Sequence, residues 1–232
     1  MFPDLRARVR EPERMDDPDL SHQEHRHALR ALSRVNRVSG TASRIQRRLV
    51  EMGGEAAPLR MLDVGCGGGD VAVGVARWAA RRGLPLEVTG IDVSSVALQH
   101  AREAAARAGV EVDFRPGDAL EGLPPGPWDL VTANLFLHHL PESGIRSLLD
   151  QVARRGRHLL VQDLVRSRWG YLLAWSGMRL LSRSSVGHVD GPLSVRAGFR
   201  REELAELAQQ AGLSGATVRR RWPARLVLSW SA

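Results

Sequence analysis

The ten residues Met61-Leu62-Asp63-Val64-Gly65-Cys66-Gly67-Gly68-Gly69-Asp70 constrain this chain more than any other stretch, because they set four glycines between an apolar run and a helical pattern. Residues 59–64 read as a buried strand and 71–82 as a helix. A glycine turn at that junction lets a ligand approach the backbone and meet free N–H groups at the helix start. The dinucleotide fingerprint does not fit: counted from Gly65, its last glycine position holds Asp70.

The alternation continues with a strand at 86–91 and a helix at 96–108, which predicts a parallel sheet with crossover helices. Extended stretches follow at 110–115, 128–133 and 158–162, separated by clusters such as Leu123-Pro124-Pro125-Gly126-Pro127. After them come an apolar helix at 168–181, a long loop at 182–198, a helix at 201–211 and two strands at 217–222 and 225–230. Upstream, prolines 3, 12 and 18 mark residues 1–20 as a poorly ordered arm without chemistry. Ser21 is placed to cap a helix, and a second helix ends at Gly53-Gly54. The expected organisation is an arm (1–20), a helical cap (21–56) and one α/β domain (57–232), with 164–199 as a lid over a substrate.

Two carboxylates share the glycine loop's register. Gly90-Ile91-Asp92-Val93-Ser94 ends the second strand, where an acid can accept from both hydroxyls of a ribose. Arg115-Pro116-Gly117-Asp118-Ala119 ends the third, where an acid can accept from an exocyclic amine. Loop and acids together describe a nucleoside site at the carboxyl ends of adjacent strands.

Cys66 is the only cysteine, which excludes an intrachain disulfide and a cysteine-cluster zinc site, and the absence of lysine excludes Schiff-base chemistry. The formal charge of +7 comes from arginines scattered along helices, a pattern that fits a solvated surface better than a phosphate-binding face. With no run of about 18 apolar residues and no apolar stretch behind Met1, the expectation is a cytoplasmic protein.

From residue 59 to the C-terminus the chain resembles the class I S-adenosylmethionine (SAM)-dependent methyltransferases. The resemblance rests on Asp63 with Gly65, Gly67 and Gly69, on Asp92, on Asp118, and on the fourth-strand segment Thr132-Ala133-Asn134-Leu135-Phe136-Leu137-His138-His139-Leu140, which is similar to the ubiquinone and menaquinone branch. It implies a Rossmann-like α/β fold, with a seven-stranded, mostly parallel sheet whose last strand is antiparallel. It also implies that SAM is held by Asp63, Gly65, Cys66, Gly67, Gly69, Asp92, Val93, Asp118, Ala119, Asn134 and Leu135 and leaves as S-adenosylhomocysteine (SAH). A finer similarity, to methyltransferases found beside type III polyketide synthases, rests on Met15-Asp16-Asp17-Pro18, Arg34-Val35-Asn36-Arg37 and Asp190-Gly191-Pro192-Leu193-Ser194-Val195-Arg196, and implies phenolic acceptors.

The catalytic candidates are His138, His139 and His188, because histidine titrates near neutrality. His138 and His139 also suit a purely turn-shaping role, and Cys66 reads as a small apolar filler. Arg37, Asp163, Trp169 and Asp190 are the candidates for binding substrate; Arg166 and Arg196 could hold an anion but read better as surface charge. No metal is expected, since the acidic pair and asparagine of metal-dependent catechol methyltransferases are not evident. The expected reaction is methyl transfer to oxygen of a small apolar molecule by a monomer or homodimer. C-methylation of a quinone-like ring, RNA or protein methylation, and non-catalytic SAM binding stand as alternatives.

Overall fold

A computed structural model describes residues 3–17, 19–53, 58–181 and 184–232. Pro18, Gly54 and the cap–domain boundary at 56–57 lie outside the described residues. Two helices come first, α1 (His22–Val38) and α2 (Thr41–Met52). Ser21 caps α1 by accepting from the Glu24 N–H at 3.3 Å, which satisfies one of the unpaired donors of a first turn.

The domain then runs β1 (Leu59–Val64), α3 (Asp70–Arg81), β2 (Leu86–Asp92), α4 (Ser95–Ala108), β3 (Asp113–Pro116), β4 (Trp128–Asn134), α5 (Glu142–Arg155), β5 (Gly156–Leu164), α6 (Arg168–Leu181), α7 (Ser185–Ala197), α8 (Arg201–Gln210), β6 (Thr217–Arg221) and β7 (Arg225–Ser231). The seven strands lie in the order β3-β2-β1-β4-β5-β7-β6, and β7 alone runs antiparallel to its neighbours. This is the Rossmann-like sheet that the resemblance implies. Strand order reverses beside β1, which pairs with β2 on one side and β4 on the other, so a crevice opens at the carboxyl ends of β1 and β4.

Both faces of the sheet are buried, as parallel strands require. Leu62 and Val64 of β1 pack with Val131, Leu149 and Leu204. Met61 points the other way and packs with Ile45, Leu49, Val75 and Leu98. The two-residue period of the strand thus joins α5 and α8 to one core and α2, α3 and α4 to the other.

Three expectations need correction. Residues 185–197 form α7 rather than a loop; 182–183 lie outside the described residues. A Cβ on Gly187 or Gly191 would lie 2.5 or 2.7 Å from Met178 atoms, so these glycines are what allows α7 to press against α6. The segment 142–155, which the sequence pattern leaves between two strands, is α5, with Ile145, Leu148, Leu149 and Val152 on its buried face. The arm is also packed against the body: Val9 N–H donates to Arg196 O, and Arg8 donates to the carbonyls of Leu137, His138, Leu140 and Ala197.

Candidate active site

The glycine loop is built by positive φ and close approach. Gly65, Gly67 and Gly69 have φ of 64°, 51° and 73°, which side chains rarely adopt. A Cβ on Gly65 would sit 2.2 Å from Phe136 and one on Gly69 2.7 Å from Ala101. Asp92 braces this loop: its Oδ2 accepts from Gly67 N–H at 2.8 Å and its Oδ1 from Ser94 N–H at 2.9 Å. Beyond it Val93 is exposed, while Ala119 is a core residue and Asp118 accepts from Leu120 N–H at 2.8 Å. Cys66 packs in the core beneath the loop, and burial pushes its thiol up, out of the nucleophilic range.

At the crevice, Asp63 Oδ1 accepts from Thr132 Oγ1 at 2.7 Å and from Asn134 Nδ2 at 3.0 Å. Asn134 Oδ1 accepts in turn from Gln162, whose Oε1 accepts from Arg44 of α2. Burial drives Asp63 up to about 7 against the pull of those two donors. Its Oδ2 accepts nothing from a described residue. Leu135 follows with φ 54°, strained for a non-glycine residue.

The donor set fits SAM. Asp92 offers a carboxylate at the loop for ribose hydroxyls, Asp63 has an unsatisfied oxygen suited to an ammonium, and Asp118 stands at the end of the neighbouring strand. Leu29 of α1 lies over Gly68, where a Cβ would come 3.4 Å from its side chain, so the cap helix closes this side of the loop.

A cavity of about 230 Å³ opens beside Leu135. It is walled by α1, α6 and α7, by the turn after β4, by the β6–β7 turn and by the arm, with Leu32, Leu173 and Met178 among its apolar lining. Its polar lining includes Glu13, His138, His139, Asp190 and Arg225. His138 Nδ1 bonds Asp163 Oδ1 at 2.7 Å and its Nε2 faces Glu13 Oε1 at 3.6 Å. Burial alone would depress His138, but the two carboxylates outweigh it and raise it to about 9. Asp163 and Glu13 are held below their ordinary values, burial opposing and His138 prevailing. The same Glu13 oxygen, Oε1, also accepts from Ser194 Oγ at 2.5 Å. Among the described residues, Glu13, His138 and His139 are the side chains whose chemistry could hold a metal, with ligand atoms within 4.8 Å of one another.

The remaining candidates divide. Asp190 lines the cavity, but its carboxylate accepts from the backbone N–H groups of Arg14 and Met15 and so fastens the arm. Asp163 lies wholly buried behind His138 rather than at the cavity wall. His188 sits on α7 and does not line the cavity, although Gly187 and Gly191 do. Trp169 is 64% exposed and Arg37 exposed, neither at the wall. Arg166 is buried and bound to Leu5 O, Gly198 O and Glu203, while Arg196 pairs with Glu11. Glu13 and Arg225 escaped sequence reasoning. Arg225 left one trace, a charge heading the apolar run Leu226-Val227-Leu228.

A model of the methyltransferase domain family matches residues 61–158. A ubiquinone biosynthesis O-methyltransferase of Bordetella parapertussis is 34% identical over 176 residues, covering 73% of this chain and 68% of that protein. One of Ralstonia nicotianae is 36% identical over 171 residues, covering 70% and 67%. Magnesium protoporphyrin IX methyltransferase from Synechocystis PCC 6803, solved with bound SAH, shares the fold at TM-score 0.58 and 18% identity, over 84% of this chain and 83% of that one. A structure from Nostoc punctiforme PCC 73102 does so at TM-score 0.63 and 18% identity, over 88% of this chain and 60% of that longer chain.

Proposed function

The chain belongs to the class I SAM-dependent methyltransferases, and we propose that it methylates an oxygen of a small, largely apolar phenol of polyketide type. The observation that carries this reading is the position of the cavity: it is lined by Leu135, which directly follows Asn134, and by His138 and His139 of the same turn, and Asn134 is bonded to Asp63. A methyl donor seated at Asp63 and Asp92 would therefore face the cavity across the end of β4. The O-methyltransferase relatives support oxygen as the methylated atom.

Bound SAM supplies a methyl group on a sulfonium, already a strong electrophile. The protein's part is alignment, exclusion of water and disposal of a proton. Asp92 would hold the ribose hydroxyls, Asp118 the adenine amine and Asp63 the methionine ammonium, with the glycine loop and Leu135 fixing the approach. The apolar walls from α1 and α6 would hold the acceptor ring and keep water out. His139, partly exposed at the cavity wall, is the candidate for taking the acceptor proton, because the carboxylates around His138 keep that imidazole protonated at neutral pH. In this reading α6 and α7 act as the lid and no metal takes part. Among the described residues no helix is long and apolar enough to cross a membrane; a cytoplasmic monomer or homodimer is the reading to test.

The test is turnover. Protein is incubated with SAM and a panel of alkylated phenols, SAH is quantified, and the product is examined by mass spectrometry and NMR. A singly O-methylated phenol formed with stoichiometric SAH is expected; SAH formed only with a carbon acceptor or with RNA would overturn the oxygen assignment.

A further inference from the structure

Arg225 heads β7, is 4% exposed and lines the cavity, and its side chain makes no hydrogen bond or ion pair with any described residue. Two other arginines have a buried, unbonded Nε, but both use their outer nitrogens: Arg48 bonds His158 and Ser231, and Arg196 pairs with Glu11. The outer nitrogens of Arg225 make no such bond with a described residue. The charges around it offer little compensation. Asp163 attracts it, but one Asp163 oxygen accepts from His138 Nδ1 and Leu164 N–H and the other from His138 N–H. Arg44 repels it. Burial pulls Arg225 down to about 10, which still leaves it charged at neutral pH.

A buried cation without a partner is strongly disfavoured, and folds tolerate such groups where a ligand supplies the missing charge. The acidic lining residues are committed elsewhere, Glu13 to Ser194 and His138, and Asp190 to the arm. We propose that Arg225 is an anion-binding residue of the cavity and that the molecule bound there carries a carboxylate, paired with the guanidinium while its apolar body lies against α1 and α6. The planar fork of a guanidinium matches the two oxygens of a carboxylate. That this molecule is the methyl acceptor rests on the methyltransferase reading; the charge argument does not.

Binding of 4-octylbenzoate, 4-octylbenzamide and 4-octylphenol is measured by calorimetry on the native chain and on Arg225→Met, with and without SAH. The benzoate is expected to bind the native chain about tenfold or more tighter than the benzamide, the range of a charge-assisted hydrogen bond. Arg225→Met should abolish that preference. The unliganded variant should also melt no lower than the native chain, because the substitution removes an unpaired charge from a buried site. Absence of benzoate binding, equal binding of benzoate and benzamide, a preference that survives Arg225→Met, or a marked drop in melting temperature each overturns the assignment. Tight binding of the phenol alone would identify an ionised hydroxyl as the counter-charge and overturn the carboxylate. SAH titrated into the same samples tests the cofactor reading separately, since Arg225 is not among its proposed ligands.

Discussion

His138 and Asp163 form a wholly buried ion pair, Nδ1 to Oδ1 at 2.7 Å, directly behind the cavity wall. Its stability contribution has a definite pH window. His138 is raised from 6.5 to about 9, so its share is complete below the unfolded value and is lost as pH rises through the folded one. Asp163 is depressed, so its share is present above the ordinary carboxylate value and fades in strong acid. His138→Gln should therefore destabilise the protein by on the order of 3 kcal/mol near pH 6 and by much less near pH 9.5. Urea unfolding of both proteins at the two pH values checks this; a pH-independent difference would mean that His138 acts by packing rather than by charge.

Asp63 works in the opposite sense. Its folded value of about 7 lies above the ordinary 3.8, so its ionisation costs nothing below the unfolded value and the full penalty above the folded one. Asp63→Asn keeps an oxygen for Thr132 and Asn134 and should stabilise the unliganded protein by a few kcal/mol near pH 8, with little effect near pH 4. If Asp63 meets the ammonium of the cofactor, SAH affinity of the native chain should also rise with pH through about 7, and the variant should lose that rise. Calorimetry across the pH range decides it.

These acids were legible in the sequence because the loop that serves them is local. Asp63, the glycines and Asp92 lie at strand ends that the strand–helix alternation locates, and the parallel pairing of β1 with β2 brings Asp92 to Gly67. The far side of the cavity was not legible. Glu13 meets Ser194 from 181 positions away, and nothing in an arm rich in proline and charge marks one glutamate for burial. Residues 182–198 read as a loop in sequence, yet Gly187 and Gly191 are what fits α7 against Met178, a contact made from outside the segment. Arg225 was one arginine among 33; its isolation appears only once burial and partners are known.

Asp92 should control cofactor affinity more than any other single residue. Asp92→Ala removes the acceptors proposed for two ribose hydroxyls and the brace on Gly67, and a loss of roughly 10- to 150-fold in SAH affinity is expected from charge-assisted hydrogen bonds of this kind. The circular dichroism spectrum and melting curve of the variant guard against trivial unfolding. Undiminished SAH binding by a folded Asp92→Ala protein would remove the second strand from the cofactor site.

Metal removal provides another check, because Glu13, His138 and His139 form a cluster that could ligate an ion. In the proposed mechanism Glu13 and His138 serve each other and Ser194 instead. Turnover should survive exhaustive chelation, and added Mn²⁺ or Zn²⁺ should not raise it. Activity that disappears with chelator and returns with one particular ion would make the cluster a metal centre and displace His139 as the proton acceptor.

Gly65 and Phe136 provide the last test, because they link the glycine loop to the segment after β4. A methyl group on Gly65 would face two separate costs: a backbone at φ 64° that disfavours any side chain, and a contact of 2.2 Å with the Phe136 ring. Only the second can be relieved from a distance. Gly65→Ala should cost about 2–4 kcal/mol, combining positive-φ strain with overpacking. Phe136→Ala alone should cost the packing of a half-buried ring. In the double variant the clash disappears while the backbone strain remains, so the combined loss should fall short of the sum by about 1–2 kcal/mol, the coupling expected of residues in contact. Strict additivity in urea unfolding would show that the ring turns aside without cost, and that backbone conformation alone requires glycine at this position.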